Sequence, residues 1–364
     1  MKIVVTADVH VHPYPICSRD HGADRLRDGL ATLRQSLDLA MKHDALWIMA
    51  GDFKMPKTNW PQEALTGAHE ILREYHLVAK YMIAGNHDAL GLGGSGLSPF
   101  MDCVTVIERE AEEHRGILFV PYGADLTPVK KNKHLPIVSH GFIKGVFLGP
   151  EDVRKPDKGV DIEDYGPFPV AFFGDIHKAQ YRVPADPTIG RNAAWLPISK
   201  AGLVRGKGLG GPGWKGEVFY PGSPYMQNWG ERNDGVKGFL VADLKTGQVD
   251  MVESNAPRFL HVELVDCEML PNDLINAGTE NFVRIITDSA KWTQQALEAK
   301  GLTFRSLQVI ERPRAEKRTT RPVIHAGMDF DEMMSGYMKA HPVPAGVDEA
   351  QVVNAMRNLY RGEA

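Results

Sequence analysis

The sequence predicts a layered α/β fold, and two observations support this prediction. In the first half of the chain, apolar runs at residues 3–7, 45–50 and 78–84 read as strands, and they alternate with helical spacing at 25–43 and 62–75. In the second half, strand-like runs follow one another with fewer helices between them. Alternating strands and helices favour α/β layers. The later strands favour a mixed sheet or a two-sheet sandwich.

The later strands are predicted from apolar runs bounded by turn-forming residues. They lie at residues 116–120, 135–139, 170–173, 218–220 and 238–244. Residues 186–217 interrupt this series, because the segment is rich in Gly and Pro and has more Lys and Arg than Asp and Glu. Its composition predicts a long, mobile and locally basic loop.

A smaller unit follows, in which strand-like and helix-like segments alternate. Its elements are predicted at residues 259–265, 271–277, 282–287, 292–300 and 303–310. The chain then continues into a basic, proline-flanked linker and a tail of two amphipathic helices, the first with Phe330, Met333, Met334, Tyr337 and Met338 on one face. We therefore expect a main domain at 1–255, a small α/β domain at 256–311, a linker at 312–327 and a helical tail at 328–364.

The composition is that of an ordinary globular protein, with 43% hydrophobic and 24% charged residues among 364. The formal net charge is -4, so nucleic-acid binding would require a local basic patch. The three cysteines are scattered, which argues against a disulfide framework or a cysteine zinc site and favours a reducing cytoplasm. Neither a signal peptide nor a membrane-spanning run is evident in the sequence.

Residue types that bind metals follow one predicted strand after another. They are Asp8 and His10, then Asp52, then Asn86, His87 and Asp88, then His140, and finally Asp175 and His177. The carboxyl ends of strands in an open α/β sheet face a common crevice. We therefore expect these side chains to lie close together.

This mixture of carboxylate, imidazole and amide oxygen suits a pair of Mn²⁺, Fe²⁺ or Zn²⁺ ions. Two such ions about 3.5–4 Å apart can clamp the attacking and leaving oxygens of a phosphodiester. Asp52 is our choice for the carboxylate that bridges them. Each motif taken alone has a structural explanation: Asp175 can cap the next segment, and a lone His140 can be an ordinary buried histidine. The recurrence at strand ends favours the metal site.

The motifs D-x-H, G-D, G-N-H-D, a lone His and G-x-x-H, taken in this order, resemble those of the calcineurin-like metallophosphoesterase superfamily. Within it, YPGSPYMQNWGE at residues 220–231 looks like a segment of the SbcD-type DNA double-strand-break nucleases and their phage counterparts. The resemblance implies a layered metallophosphoesterase fold, in which helices flank a two-sheet sandwich. It also implies a small α/β capping domain and a helical tail that docks on an ATPase.

The resemblance also implies roles for single residues. One metal ion would be held by Asp8, His10, Asp52 and His177, and the other by Asp52, Asn86, His140 and Asp175. His87 matches the family's catalytic histidine, which acts at the scissile phosphate. Asp88 would orient the His87 imidazole from behind.

This chain departs from the family pattern at three places. Asp175 replaces a histidine, which adds negative charge and favours Mn²⁺ or Mg²⁺ over softer ions. Met55 stands where many relatives have a histidine, so the role of that position is in doubt. The basic loop at 186–217 is longer than expected. It either contacts DNA phosphates, through Arg205, Lys207 and Lys215, or is a lineage-specific insertion without such a role.

The function implied by the resemblance is a DNA nuclease with two divalent ions, Mn²⁺ in the first place and Mg²⁺ in the second. It would have 3′-to-5′ exonuclease and single-strand endonuclease activity in DNA repair, recombination or replication. Its partners would be DNA, a second copy of the chain and a coiled-coil ABC-type ATPase bound through the C-terminal helices. Two alternatives stay open: a catalytically weak scaffold that binds DNA ends, and a phosphodiesterase for small nucleotides.

Overall fold

The structure of the chain is a computed structural model, and it describes most of the sequence. The described residues are 1–13, 22–55, 60–90, 94–131, 134–148, 153–154, 159–185, 188, 192–205, 214, 216–264, 270, 272–275, 279–311, 329–340 and 348–361. The predicted linker at 312–327 lies outside them.

In chain order, the described strands are β1 Lys2–Thr6, β2 Leu46–Met49, β3 Lys80–Ile83, β4 Ala89–Leu90, β5 Gly94–Ser95, β6 Thr105–Ile107, β7 Glu112–His114, β8 Ile117–Val120, β9 Ile137–His140, β10 Phe147–Leu148, β11 Val153–Arg154, β12 Val170–Gly174, β13 Gln180–Val183, β14 Ala194–Pro197, β15 Gly202–Arg205, β16 Glu217–Tyr220, β17 Gly238–Asp243, β18 Gln248–Glu253, β19 Phe259–Leu264, β20 Phe282–Thr287 and β21 Ser306–Glu311. The described α-helices are α1 Gly22–His43, α2 Gln62–Glu74, α3 Thr127–Lys131, α4 Asn272–Ile275, α5 Gln294–Glu298, α6 Phe330–Ala340 and α7 Glu349–Arg361.

Two mixed seven-stranded sheets form the main body. The first has the order β15-β18-β17-β1-β2-β3-β6, in which β1, β2, β3 and β6 are parallel. The second has the order β14-β13-β16-β12-β9-β8-β7, in which β16, β12, β9 and β8 are parallel. Each sheet therefore contains a run of parallel strands that end at the same edge of the sheet. Antiparallel strands flank this run on one side in the first sheet and on both sides in the second.

The two sheets pack face to face over an apolar core. Val5 and Ile48 of the first sheet belong to the same buried cluster as Phe119, Phe172 and Phe219 of the second, and all five are fully buried. The predicted two-sheet sandwich is thus confirmed. Successive side chains of a strand point to opposite faces of the sheet. Each sheet therefore also has an outer apolar face, which other elements must cover.

Helices and loops cover the outer faces. Leu33 and Leu37 of α1 and Leu72 of α2 pack with Trp47 and Met49 on the outer face of the first sheet. Another apolar cluster covers the outer face of the second sheet. None of the helices in the described part of the chain is long and apolar enough to cross a membrane.

Beyond the sandwich, β19, β20 and β21 form a separate parallel sheet with its own core. Val283, Ile285 and Trp292 are buried there. In the tail, α6 buries Met334 and Met338 but leaves Tyr337 exposed. An ion pair of Arg357 with Asp331 connects α7 to α6.

The segment at 186–217 differs from the predicted mobile loop. It contains β14, which pairs with β13, and β15, which pairs with β18. Both are edge strands, one in each sheet. The described part of this segment is therefore structured by pairing with other strands of the two sheets.

Candidate metal centre

The predicted ligand residues meet where the central strands of the two sheets end. Asp8 follows β1, Asp52 follows β2 and Asn86 follows β3, while His140 ends β9 and Asp175 follows β12. The two sheets approach each other closely at this edge. A Cβ added to Gly174 at the end of β12 would lie 2.0 Å from the backbone oxygen of Ala50 and 2.7 Å from Nδ1 of His140.

Four of these residues have a backbone that side-chain-bearing residues rarely adopt. The φ angles of Asp8, His10, Asp52 and Asp175 are 53°, 47°, 56° and 93°. Only two further non-glycine residues in the described part of the chain have a positive φ, Asp44 and Arg115. Such conformations cost about 1–3 kcal/mol each and cluster at functional sites. The turns after β1, β2 and β12 thus direct these side chains into the crevice. Their unfavourable backbone conformations lower the stability of the fold.

Asp52 lies between two groups of ligand atoms. Its Oδ2 is 3.7 Å from Nε2 of His10, and its Oδ1 is 3.5 Å from Nε2 of His140. Asp8 has ligand atoms close to His10 and His177 on one side and close to Asp52 and His140 on the other. The Oδ1 of Asn86 lies 3.2 Å from Nε2 of His140. Asp52 therefore occupies the position that a bridging carboxylate requires.

Backbone and side-chain acceptors orient the imidazoles. Nδ1 of His10 is 3.3 Å from the carbonyl of Lys54, and Nδ1 of His140 is 2.8 Å from the carbonyl of Ala50. Nδ1 of His177 is 2.8 Å from a carboxylate oxygen of Glu231. Because each Nδ1–H donates to one of these acceptors, Nε2 is the nitrogen that faces the centre, and in the neutral imidazole it presents a lone pair there. Histidines bound to metals are held in this way.

The electrostatics of the site also favour cations. Burial raises the pKa of the Asp8 carboxyl to about 7, and burial likewise raises the pKa of Asp175. Burial lowers the pKa of His140, but neighbouring carboxylates, Asp52 first among them, outweigh it and raise this pKa overall. Ionised carboxylates are costly to bury without compensating charge. Divalent cations would supply that charge and keep the carboxylates ionised.

The residues present fit a pair of divalent ions. Nε2 of His10 and Nε2 of His177 lie 3.2 Å apart, although both would be acceptors in neutral imidazoles with Nδ1 protonated. Burial lowers the pKa of His177, but Glu231 outweighs it and raises the pKa to about 9, so either a proton on Nε2 of His177 or a cation bound by both nitrogens satisfies this contact. Ligand atoms of Asp8, His10 and His177 lie within 4.8 Å of one another, and so do those of Asp8, Asp52 and His140. Asn86 and Asp175 each lie close to Nε2 of His140.

His87 lies at the mouth of the site. Its side chain is 31% exposed, whereas His10 and His140 are buried. Nδ1 of His87 is 2.7 Å from the carbonyl oxygen of Met55, and Nε2 is 4.0 Å from Oδ2 of Asp52. The backbone N–H of His87 also donates to Oδ1 of Asp52, at 2.8 Å. The His87 imidazole thus faces both the centre and the solvent.

The structure places Asp88 differently from the prediction. Its fully buried carboxylate accepts hydrogen bonds from the backbone N–H groups of Gly85, Asp52, Phe53 and Lys54, at 2.9, 2.7, 3.1 and 3.1 Å. The acceptor at the His87 ring is the carbonyl of Met55. Asp88 therefore holds the turn that carries Asp52. No local pattern in the sequence distinguishes an Asp88 side chain directed at the His87 ring from one directed at the backbone N–H groups of the turn.

Asp175 and Met55 are two of the positions at which the chain departs from the family pattern. Oδ1 of Asp175 is 3.8 Å from Nε2 of His140, so its side chain faces the second ligand group. Its backbone N–H donates to the Asp8 carboxylate, at 3.1 Å. Met55 contributes its carbonyl oxygen to His87, while its side chain is partly exposed.

The proposed DNA contact at Arg205 conflicts with its surroundings. The Arg205 side chain is buried, with Nε 3.0 Å from a Glu217 oxygen and Nη1 2.6 Å from the carbonyl of Gly247. Its guanidinium is bonded within the fold, so the predicted DNA contact at Arg205 is wrong. Lys207 and Lys215 lie outside the described residues.

Sequence reasoning assigned no role to Glu231, although the residue ends the quoted segment at 220–231. The structure places its carboxylate against the His177 ring. The sequence feature that could have indicated a role for Glu231 is the segment at 220–231, in which it is the single acidic residue. Its burial and direction, however, became visible only in the fold.

The fold and the site define a class of protein, the metal-dependent hydrolases of phosphoester bonds. Residues 1–179 of the 364 match the family model of the calcineurin-like phosphoesterases. No curated protein matches the chain.

Solved structures similar to this chain include the following two. One is a metallophosphoesterase from Sphaerobacter thermophilus, with 13% identity over 70% of this chain and 89% of that one, and a TM-score of 0.32. The other is a 5′-nucleotidase precursor from Thermus thermophilus, with 15% identity over 71% of this chain and 56% of that one, and a TM-score of 0.34.

Proposed function

We propose that this phosphoesterase is a two-metal DNA nuclease that hydrolyses phosphodiester bonds by 3′-to-5′ exonuclease and single-strand endonuclease action. The superfamily gives the reaction class, and the nuclease assignment rests on the segment at 220–231. The expected ions are Mn²⁺ in the first place and Mg²⁺ in the second, because carboxylates supply a large share of the ligands.

The observation that carries the proposal is the contact of the segment at 220–231 with the ligand turns. The Tyr220 hydroxyl donates to the carbonyl of Gly141, at 2.7 Å, directly after His140. The Gln227 amide lies 3.3 Å from the carbonyl of Asp8. The segment that resembles the DNA nucleases is therefore part of the support of the metal site rather than a remote surface feature.

Two bound divalent ions would supply Lewis acidity and a nucleophile to a phosphodiester. The chain's own residues would hold these ions, exclude water from the buried side of the site and fix the position of the phosphate. The buried ligands His10, Asp52 and His140 form the floor of the site. His87, Asp175 and His177 are partly exposed and line its entrance.

His87 would act on the leaving oxygen. Its Nδ1 proton is held by the Met55 carbonyl, which leaves Nε2 free to hold a second proton on the side that faces the phosphate. Transfer of that proton would neutralise the charge that develops on the leaving oxygen.

Two further parts of the proposal concern the remaining elements. The small sheet β19–β21 would present DNA to the metal site. The helices α6 and α7 would dock on a coiled-coil ABC-type ATPase, with the exposed Tyr337 and Met356 on the surface that faces the partner. A homodimer of the main domain completes the proposed assembly.

A substrate panel tests the function. We expect the full chain with Mn²⁺ to cleave linear duplex DNA and single-stranded circular DNA, and the reaction to stop in EDTA. Asp52→Asn removes charge from both metal positions at once, so it is expected to abolish cleavage while leaving the circular dichroism spectrum unchanged. Near-native cleavage by this variant would contradict the two-metal assignment.

The panel also includes mononucleotides, cyclic nucleotides and bis-p-nitrophenyl phosphate. Hydrolysis of the small nucleotides without cleavage of DNA would replace the nuclease by a small-nucleotide phosphodiesterase. Binding of DNA ends without hydrolysis of any of these substrates would support the scaffold alternative. The position of Asp175 beside His140 argues for an intact site and against that scaffold.

A further inference from the structure

The strongest unexplained feature is a buried charged cluster behind His177. It consists of Glu231, Asp234, Lys237 and Ser223, and all four residues are buried. Glu231 lies in the short 3-10 helix Trp229–Asn233, whose N-cap residue Asn228 accepts a hydrogen bond from the backbone N–H of Gly230 at 2.7 Å. Buried charges require partners with good geometry, and this cluster supplies them internally.

Five donors fix the Glu231 carboxylate. Its Oε1 lies 2.8 Å from Nδ1 of His177 and 3.2 Å from the Asn228 amide. Its Oε2 accepts from Nζ of Lys237, the backbone N–H of Gln227 and the hydroxyl of Ser223, at 2.7, 3.1 and 3.2 Å. A carboxylate held at both oxygens in this way has a single orientation.

The cluster also holds the backbone of His177. Nζ of Lys237 donates to the His177 carbonyl, at 2.9 Å, and the Ser223 N–H donates to the same oxygen, at 3.1 Å. Gly222 has a φ of 75° and packs so closely that an added Cβ would lie 2.6 Å from that oxygen. Both the ring and the main chain of His177 are thus fixed by residues 222–237.

His177 differs from the other two ligand histidines in what supports it. His10 and His140 donate to backbone carbonyls and are buried, whereas the side chain of His177 is 30% exposed and follows the end of a strand. A partly exposed ligand on a turn has fewer packing contacts to fix its ring, so it depends more on a hydrogen bond with a neighbouring side chain. A carboxylate behind a metal-binding imidazole fixes its tautomer and raises its basicity.

We propose that Glu231 is a positioning residue that holds His177 with Nε2 directed at the metal, and that residues 222–237 serve this purpose. The inference rests on the proposed metal site and identifies the role of the segment that resembles the nucleases. The donors on both oxygens of Glu231, Nζ of Lys237 at 2.7 Å among them, suit this role because they leave the carboxylate a single orientation.

The test is calorimetric titration of the metal-free full chain with Mn²⁺. Glu231→Gln keeps the size of the side chain but removes its charge, and it is expected to weaken one Mn²⁺ site about 10- to 100-fold while the other stays unchanged. Asp234→Asn is the matched control, because Asp234 pairs with Lys237 at 3.2 Å in the same cluster and has no hydrogen bond to the His177 ring among the described contacts. This control is expected to lower the unfolding temperature without changing either affinity.

A double-mutant cycle separates positioning from general stability. In a His177→Ala background, Glu231→Gln is expected to have no further effect on Mn²⁺ affinity, because Glu231 acts through the imidazole. Should Glu231→Gln fail to fold, Glu231→Asp keeps the charge beside Lys237 but withdraws the carboxylate from His177, and the same loss of affinity is expected.

Unaltered affinity in a folded Glu231 variant, or an equal loss in Asp234→Asn, would overturn the positioning role. A wild-type chain that binds no Mn²⁺ would refute the metal site and the proposed function together. Wild-type binding of two Mn²⁺ ions without any DNA cleavage would refute only the proposed function, and the positioning role would still be decided by the variants.

Discussion

His87 lies at the entrance of the centre and is partly exposed, as Asp175 and His177 are. Because its Nε2 is 4.0 Å from Asp52 and its ring is partly open to solvent, we expect it to act in proton transfer. His87→Ala should therefore lower the rate of DNA cleavage about 10²- to 10⁴-fold while both Mn²⁺ ions stay bound. Steady-state rates and metal analysis of the purified variant check this. Loss of a metal ion from His87→Ala would instead make the residue a ligand.

Asp175 is a residue at which this chain departs from the family pattern. Its side chain faces His140, at 3.8 Å, so we expect Asp175→Ala to weaken one Mn²⁺ site and spare the site that contains His177. Asp175→His should shift the preference toward Zn²⁺ or Co²⁺, because imidazole is the softer ligand. Calorimetric titrations with each ion measure both effects. Two unaltered Mn²⁺ sites in Asp175→Ala would reduce Asp175 to a capping residue.

At the scale of elements, the turns after β2 and β3 depend on one carboxylate. Asp88 accepts four backbone N–H groups from these turns, and it is fully buried. Asp88→Asn would turn one acceptor into a donor that faces N–H groups. We expect a loss of about 1–3 kcal/mol in the free energy of unfolding, together with weaker Mn²⁺ binding through displacement of Asp52.

Urea denaturation of the metal-free protein measures the cost at Asp88. Asp125→Asn is the control, because Asp125 accepts from the backbone of Thr127 at an exposed turn, at 2.9 Å. Its unfolding midpoint should remain close to that of the wild type, since water can replace the bond. Equal stability of Asp88→Asn and wild type would mean that the turn is held mainly by its other contacts.

The elements also show how far the sequence predicts this fold. The central strands and the residues at their ends were predictable, because a buried parallel strand is an apolar run and its end is a polar break. The edge strands β14 and β15 were missed, since their short segments gain order from pairing with β13 and β18. The direction of the Asp88 and Glu231 side chains depends on packing between distant segments, which no local pattern encodes.

At the scale of the whole molecule, a buried ion pair links the small domain to the sandwich. Nη1 of Arg305, which precedes β21, lies 2.8 Å from both oxygens of Asp28 on α1, and both side chains are largely buried. Arg305→Ala would leave the Asp28 carboxylate with only the longer contact to Arg25, at 3.4 Å, among its described ion pairs. Loss of one partner of a buried pair costs about 3 kcal/mol.

We therefore expect faster amide exchange at residues 259–264 and 282–287 in Arg305→Ala, with unchanged hydrolysis of bis-p-nitrophenyl phosphate. If the small sheet presents DNA, cleavage of duplex DNA should fall in the same variant. Arg34→Ala is the control, because the Arg34 pair with Glu74 is exposed and joins two helices of the sandwich. Exchange rates equal to those of the control would show that other contacts hold the small sheet.

The left-handed backbone at four ligand residues has a consequence for any attempt to make this protein more robust. Replacing Asp8, His10, Asp52 or Asp175 by glycine would relax the main chain. Such a substitution would raise the thermal stability of the protein but remove a side chain that hydrolysis requires. A library of variants screened for heat resistance in the presence of a chelator would enrich glycine at these positions. The selected proteins would be more stable but would lack hydrolytic activity. The same library screened with Mn²⁺ would keep the original residues, because the ion stabilises the strained form by binding to it.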